Sequence, residues 1–454
     1  MLVLGAATLG VISLGDRTEP APLSVEPEDG DRAVPASSSL VLRFGRPVNR
    51  EAVAAALRID PPTAGVLEVE RTVVRFVPTG GLRPGTSYRL TLQAGFQDQS
   101  GRTLRRDVTL AFATRPARLV FSRPEPDAAD VFASRDLWVV ALDESPARRV
   151  TREPLGILFA SVAPDGERVV YSAPNPAAPD ASGLWVTNLD GSGRVQLTGD
   201  LDGAILSLGW SPRGDLIAYE RRSVVGVRGE LGRPRILAIR PDGGGGGLLY
   251  GRNDEAGSQP VWSPDGRRLL VAEASRGGRA IVDPAGQPVF IQGSGTDSGT
   301  WSPDGRQLAF ADLVQDKRAT RSVIRITDLT GQGVADLSRP GYSDTAPAWA
   351  PDGRAIAVVG RHDDGEAAIW LLNPAGGPAR AIHLPEASPA AQLTPPVWSS
   401  GGALVAFSRL VPRDTPDGAP AGADGFDWEL WVAHGDGSVA WRLPVDGLAE
   451  GWAP

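Results

Sequence analysis

The sequence predicts an all-β protein of two domains, a small β-sandwich followed by a larger β-propeller. Its 454 residues favour two or three domains. Apolar residues come in short runs bounded by glycine, proline, aspartate or serine, and no long helical pattern interrupts them. The 55 glycines and 40 prolines suit short strands joined by tight turns. A five-residue motif that begins with tryptophan recurs through the last three quarters of the chain.

The chain begins with an apolar segment, residues 1–15, followed by a polar linker that ends at Leu23. A membrane span needs about 20 apolar residues, so the segment is short for one. It also lacks the basic start of a signal peptide. We expect residues 1–23 to be an export signal or the remnant of a membrane anchor, plus the linker. A buried N-terminal strand is the alternative.

Residues 24–115 predict the sandwich, because apolar and polar residues alternate in several short runs. The alternating residues are Leu40, Leu42 and Phe44; Tyr88, Leu90 and Leu92; and Val108, Leu110 and Phe112. A period of two gives each sheet one buried face, and two such faces pack together. About 90 residues is the usual size of an immunoglobulin-like sandwich.

The order of short motifs in this domain resembles the bacterial Ig-like family of surface-layer and other cell-surface proteins. The matching pieces are residues 27–30, 40–44, 47–48, 74–78, 82–88, 98–104 and 112–114. The resemblance implies a spacer or adhesion module outside the cytoplasm.

A repeated motif dominates the rest of the chain. Residues 262–266 and 301–305 both read Trp-Ser-Pro-Asp-Gly, and close variants start at positions 162, 210, 349 and 398. Their separations of 39 to 52 residues, with several strands per unit, are typical of propeller blades.

We interpret the residues of the motif as structural. Proline, aspartate and glycine form a tight turn, and tryptophan is large enough to fill the space between blades. The residues concerned are Trp210, Trp262, Trp301, Trp349, Trp398 and Trp452, with Asp165, Asp265, Asp304 and Asp352. These aspartates recur once per blade, so they are too far apart to ligate calcium together.

The motifs resemble the WD40-like PD40 repeats of TolB-like propellers, over residues 117–454. Such propellers bind many different partners, so the resemblance implies the fold and not the ligand. Counting strands gives seven blades, with six as the alternative. Gly451, Trp452 and Ala453 match a first strand, so we expect the C-terminus to complete the blade that begins near residue 117.

The sequence contains no recognisable catalytic, cofactor or metal site. The absence of cysteine excludes disulfides and thiolate chemistry. His362, His383 and His434 lack metal-binding spacing, and no Gly-x-Ser-x-Gly elbow occurs. We expect a non-catalytic binding or scaffold protein that takes a protein, peptide or cell-envelope polymer. A propeller-type carbohydrate-active enzyme, a glycosidase or a lyase, is the alternative.

The connections after the second strand of several blades are long and polar, and they predict a working face. Arginine opens five of them: Arg123, Arg221, Arg276, Arg361 and Arg409. Guanidinium groups there would bind an anionic partner. Alternatively these are ordinary solvated arginines, since Lys317 is the only lysine. The net charge of −8 disfavours nucleic acid. We expect an extracytoplasmic location, with membrane attachment only through the N-terminal segment; the sequence does not predict the oligomeric state.

Overall fold

The computed structural model describes most of residues 19–453. The parts it leaves out are residues 1–18, 37, 79–80, 125–134, 144, 200–202, 226–229, 253, 284–286, 296, 316–319, 334, 338, 385–390, 413–425 and 454. The expected export segment therefore lies outside the described residues. The chain divides into two compact units between Arg115 and Pro116.

The first unit is a sandwich of two antiparallel sheets. Its elements are β1 (Pro22–Glu26), β2 (Leu40–Phe44), α1 (Arg50–Ala56), β3 (Leu57–Asp60), β4 (Gly65–Glu70), β5 (Val73–Pro78), β6 (Ser87–Leu92) and β7 (Val108–Ala113). One sheet has the order β1-β2-β5-β4 and the other β3-β6-β7. This is the strand arrangement of a seven-stranded immunoglobulin sandwich.

Two details of the first unit differ from the sequence interpretation. Pro22 pairs with Phe44, so the end of the expected linker already belongs to the first strand. The short helix α1 was not predicted. It begins where the Asn49 side chain accepts a hydrogen bond from the Glu51 amide, which caps the alanine-rich segment that follows.

The second unit consists of strands. In chain order they are β8 (Arg118–Pro124), β9 (Arg135–Ala141), β10 (Arg148–Arg149), β11 (Phe159–Val162), β12 (Arg168–Asn175), β13 (Ala178–Asn188), β14 (Val195–Gln196), β15 (Gly203–Trp210), β16 (Ile217–Val225), β17 (Glu230–Leu231), β18 (Arg235–Ile239), β19 (Gly247–Tyr250), β20 (Gly257–Trp262), β21 (Leu269–Glu273), β22 (Arg279–Val282), β23 (Val289–Ile291), β24 (Thr300–Trp301) and β25 (Gln307–Gln315). The series continues with β26 (Thr320–Asp328), β27 (Ala335–Asp336), β28 (Tyr342–Trp349), β29 (Ile356–His362), β30 (Ala367–Leu372), β31 (Arg380–Ala381), β32 (Gln392–Leu393), β33 (Val397–Trp398), β34 (Leu404–Pro412), β35 (Phe426–His434), β36 (Ala440–Asp446) and β37 (Leu448–Ala453).

The described strands of this unit form seven antiparallel sheets, which we number 1 to 7 along the chain. From inner to outer strand they are β37-β8-β9-β10, β11-β12-β13-β14, β15-β16-β18-β19, β20-β21-β22-β23, β24-β25-β26-β27, β28-β29-β30-β31 and β33-β34-β35-β36. The short strands β17 and β32 pair with β16 and β34. The unit is a β-propeller, and its sheets support the predicted seven blades, a number that stays a prediction.

The C-terminal strand completes sheet 1. β37 pairs with β8, and Trp452 stands opposite Leu119. The first sheet thus combines one strand from the end of the chain with three from the start of the propeller. This confirms the closure expected from residues 451–453, and it leaves no free inner edge at the junction.

Tryptophans fill the seams between neighbouring sheets. The motif residue Trp452 packs in one apolar cluster with Leu119 of sheet 1 and Val432 of sheet 7. A second set, which no motif revealed, stands on the third strands: Trp138, Trp185, Trp370 and Trp431. Trp138 packs against that same cluster, so two indole rings occupy this seam.

Candidate functional site

The motif turns lie at one end of the strands and are held by their own side chains. Asp265 accepts hydrogen bonds from Ser263 Oγ at 2.6 Å and from the Arg267 amide at 3.1 Å. Asp304 repeats both contacts with Ser302 and Arg306. The Ser302 hydroxyl holds the pKa of Asp304 below its usual value. These aspartates stabilise the turn, as expected for structural residues.

The opposite end of the sheets carries the connections between second and third strands and between successive sheets. We call it the loop face. Because every sheet has the same strand directions, each second strand ends at this face. Four of the candidate arginines lie on second strands: Arg123 on β8, Arg221 on β16, Arg361 on β29 and Arg409 on β34. Arg276 follows the end of β21.

Three of these arginines are exposed and contact their own sheet. The Arg123 guanidinium lies 5.6 Å from the centre of the Trp138 ring, and that of Arg276 lies 4.1 Å from the Phe290 ring. Arg361 Nη1 donates to the carbonyl oxygen of Gly365 at 2.7 Å. Arg221 is partly buried and pairs in register with Arg235. The loop face therefore presents exposed guanidinium groups from sheets 1, 4 and 6.

The expectation that Arg409 faces a partner is wrong. Its side chain is only 5% exposed, and its Nε donates to Glu429 Oε2 at 2.5 Å. Glu429 stands directly opposite on β35 and also accepts from Trp431 Nε1. Burial alone would raise the pKa of Glu429, but the hydrogen bonds from Arg409 and Trp431 outweigh it and keep the pKa low. Arg409 is a structural residue.

The described parts of several connections that looked like long polar loops belong to the strands. Asn175 pairs with Ala178, so the hairpin of sheet 2 continues almost to its tip. Val314 pairs with Arg321 in sheet 5, and Val411 pairs with Asp427 in sheet 7. The residues that extend these strands are mostly polar, so they do not show the apolar alternation by which a strand is recognised in a sequence.

Buried carboxylates near the loop face were not predicted. Asp136 in sheet 1 accepts from Arg149 Nη2 and Thr151 Oγ1, both at 2.5 Å. Asp312 in sheet 5 accepts from Arg325 Nη1 at 2.6 Å and from the Ser294 amide at 2.6 Å. Burial opposes the charge of Asp312, yet these donors keep its pKa below the usual value.

Glu220 in sheet 3 also links two sheets. It accepts from Arg222 Nε at 2.8 Å, from Ser207 Oγ at 2.9 Å and from the amide of Gln259, in sheet 4, at 3.2 Å. Each of these carboxylates holds strands or connections in place. A buried acid needs such donors, and the sequence shows neither the burial nor the donors.

Asp344 on β28 belongs to a buried cluster in sheet 6 that combines an ion pair with two aromatic rings. It is hydrogen-bonded to Arg339, whose guanidinium lies 3.9 Å from both the Tyr342 and the Trp370 rings. Burial raises the pKa of Asp344 despite this partner. Asp344 is one of two carboxyls in the described part of the propeller whose pKa is raised. The second is Glu450 on the closing strand.

The histidines are separate from one another. His362 Nδ1 lies 2.9 Å from Asp364 Oδ2, whereas His434 contacts Ser438 and the Trp441 ring, and His383 is exposed. Among the described residues, no three His, Cys, Asp or Glu side chains are grouped as metal ligands would be. Within those residues, no helix is long and apolar enough to cross a bilayer.

Comparison with known proteins identifies the first unit. Residues 16–114 match the family model for the bacterial Ig-like domain. The first unit is a bacterial Ig-like domain. Among curated proteins, no sequence matches the chain.

Solved structures similar to this chain include propeller proteins of several kinds. TolB from Acinetobacter baumannii is 15% identical, with 88% of this chain and 84% of that chain covered and a TM-score of 0.42. An oligogalacturonate lyase from Vibrio parahaemolyticus is 15% identical over 72% of this chain and 84% of its own, with a TM-score of 0.47. The β-propeller domain of the Trilobed protease from Pyrococcus furiosus is 11% identical over 80% and 94%, with a TM-score of 0.47. These similar structures include a TolB, a lyase and a protease domain, and the propeller fold of the second unit is seen directly in its own strand pairing.

Proposed function

We propose that this chain is a non-catalytic binding or scaffold protein outside the cytoplasm. The propeller holds a protein, peptide or cell-envelope polymer on its loop face, and the Ig-like domain is a spacer. The observation that carries the proposal is a contrast between two sets of charged side chains on that face, the buried carboxylates and the candidate arginines. Asp136, Glu220, Asp312 and Glu429 accept hydrogen bonds from donors of the scaffold, whereas three of the five candidate arginines are exposed.

The exposed set consists of Arg123, Arg276 and Arg361. Guanidinium groups bind carboxylates and phosphates with charge-assisted hydrogen bonds, so the partner should be anionic. Rigid sheets hold the three positions apart around the ring. A ligand that contacts all three must be extended or large, which suits an acidic protein segment or an envelope polymer.

The extracytoplasmic location rests on the Ig-like domain and the TolB-like fold. The absence of cysteine is compatible with any compartment and does not decide between them. Fractionation of cells that make the tagged full chain would test the location. Recovery in the cytoplasmic fraction alone would contradict it.

The binding proposal is tested by charge reversal. The full chain is used to capture partners from an envelope extract, and the captured material is identified by mass spectrometry and sugar analysis. The triple variant Arg123→Glu, Arg276→Glu, Arg361→Glu should retain the partner at least about tenfold less well, since each lost charge-assisted contact costs on the order of 1 kcal/mol or more. The loss should be largest at low salt.

The matched control places the same charge change on the motif-turn face: Arg267→Glu, Arg306→Glu, Arg354→Glu. These arginines are also exposed and occupy equivalent positions in three turns. Equal retention by both triple variants would refute the loop-face proposal. Release of reducing ends or unsaturated uronates from an envelope polysaccharide by the purified chain would instead favour the carbohydrate-active alternative.

A further inference from the structure

The strand that closes the ring carries a carboxyl group with few donors around it. Pairing between β37 and β8 shifts register between Ala449 and Gly451, which leaves Glu450 as the extra residue of a bulge. A bulge turns its extra side chain away from the regular alternation. Glu450 Oε1 accepts a hydrogen bond from Ser122 Oγ at 2.6 Å, its one such partner among the described contacts.

Sheet 3 contains the same pair with the residues exchanged. There the serine, Ser207, is on the inner strand and the glutamate, Glu220, is on the second strand. Glu220 has two further donors, the Arg222 guanidinium and the Gln259 amide. The comparison shows what full compensation of a buried carboxylate looks like in this propeller. Glu450 lacks it.

The charged groups on strands that contact β37 are mostly occupied elsewhere. On β9, Arg135 donates from Nη1 to Ser122 Oγ at 3.4 Å and from Nη2 to the Leu158 carbonyl at 3.3 Å, and Asp136 beside it is bound to Arg149. On β8, Arg118 binds the Gly166 carbonyl and Arg123 stacks on Trp138. On β34 and β35 of sheet 7, Arg409 pairs with Glu429, whereas Asp427 and His434 lie at opposite ends of β35. Strands β11 and β33 carry no charged residue.

We propose that the ring-closing seam is a proton-responsive joint, in which a neutral Glu450 strengthens the attachment of β37 and an ionised Glu450 weakens it. Glu450 is partly buried, and an ionised carboxyl there with one hydroxyl donor is destabilised relative to the neutral acid. Burial raises the pKa of Glu450, and Arg135 and Ser122 offset this only in part.

The sign of the effect follows from that direction. A carboxyl whose pKa is higher in the folded than in the unfolded protein keeps its proton longer when folded. The stabilisation is fully present below the ordinary pKa of glutamate and is lost as pH rises through the raised value. Asp344 contributes in the same direction, so a measurement local to β37 is required.

The test is hydrogen exchange, followed by mass spectrometry, of the peptide covering β37 in the full chain between about pH 5 and about pH 8, corrected for intrinsic exchange. The wild type should lose protection over that range, by about tenfold. Glu450→Gln should keep high protection at the upper end and remove the dependence. The control Glu220→Gln should lower protection in sheet 3 and leave the dependence at β37.

Ser122→Ala is the second variant and covers the case in which Glu450→Gln does not fold. It removes the donor to the ionised form and should raise the pKa of Glu450 further, so the loss of protection at β37 should extend to higher pH and be larger than in the wild type. A pH dependence that is the same in the wild type and in a folded Glu450→Gln variant would overturn the proposal. So would lower protection of β37 in Glu450→Gln than in the wild type at about pH 8.

Discussion

Trp452 donates a hydrogen bond from its indole Nε1 to the carbonyl oxygen of Val397 at 2.9 Å. Val397 immediately precedes the motif tryptophan of sheet 7, so the bond joins the last sheet to the first. The same relationship recurs at three other seams. The pairs are Trp262 with Gly209, Trp301 with Val261, and Trp398 with Ala348. The motif tryptophan therefore fills the seam and also bonds across it.

Replacing Trp452 should open the ring at its closure. Trp452 is 8% exposed, and truncation of a large buried aromatic residue costs about 3–5 kcal/mol. Trp452→Ala should lower the free energy of unfolding of the propeller by that amount in urea. Trp452→Phe should cost less, about 1–3 kcal/mol, mostly from the carbonyl of Val397 left without its donor.

Val439→Ala is the control for this measurement. Val439 is 51% exposed, so its truncation removes little buried surface. An unchanged unfolding midpoint in Trp452→Ala would contradict both the closure by β37 and the seven-blade count.

The sequence predicted this closure because the residues that make it are repeated. Trp452 matches the tryptophan of five other first strands, and period-2 alternation was enough to predict the sandwich. The third-strand tryptophans, such as Trp138 and Trp431, could not be assigned to the seams in the same way. Their position depends on strand register, and a shift of one residue would move each ring to the other side of its sheet.

Ser408 should be a second determinant of closure. It is fully buried on β34, donates to the Gly447 carbonyl at 2.8 Å and accepts from the Ala449 amide at 3.0 Å. Ser408→Ala leaves both backbone groups unsatisfied and should destabilise the propeller by about 1–3 kcal/mol. Urea unfolding would measure this. Ser438→Ala, at an exposed turn, is the control; a similar loss in both variants would remove any special role for Ser408.

Arg409 should behave as a core residue and not as a binding residue. Removing one partner of a buried ion pair costs about 3–5 kcal/mol, because the other charge stays buried. Arg409→Ala should therefore lower the unfolding midpoint strongly, and Glu429→Ala should act in the same direction. A folded Arg409→Ala variant with unchanged stability but weaker partner binding would reverse this assignment.

The pH dependence of the pair follows from the low pKa of Glu429. A carboxyl whose pKa is depressed in the folded protein contributes stability that is present above the ordinary pKa of glutamate and is lost as pH falls through the depressed value. The wild type should lose this contribution on acidification, as followed by thermal unfolding. Glu429→Gln should lose stability at neutral pH and show a smaller further loss in acid.

Arg361 and Arg409 looked equivalent in the sequence, and register explains why they are not. Arg409 lies four residues after Val405, which pairs with Trp398, whereas Arg361 lies five residues after Ile356, which pairs with Trp349. Side chains alternate between the two sides of a strand, so the difference of one residue separates a buried arginine from an exposed one. The number of residues between the motif tryptophan's pairing partner and the arginine can be counted only when the strand pairing is known.

The position in sheet 6 that corresponds to Arg409 is Gly360, and we expect it to tolerate no side chain. A Cβ there would lie 2.6 Å from Asp344 Oδ1 and 2.7 Å from Trp370 Cδ1, inside the cluster of Arg339 and its two rings. Gly360→Ala should cost about 1–3 kcal/mol, since overpacking forces neighbours out of their rotamers.

Gly247→Ala is the matched control, because it also lies on a strand and its added Cβ would meet no atom within 4 Å. The comparison is made by urea unfolding of the full chain, with tryptophan fluorescence reporting on Trp370. If Gly360→Ala were as stable as Gly247→Ala, the tight packing of Arg339 between Tyr342 and Trp370 would be refuted. The buried state of Asp344, which depends on that packing, would have to be revised with it.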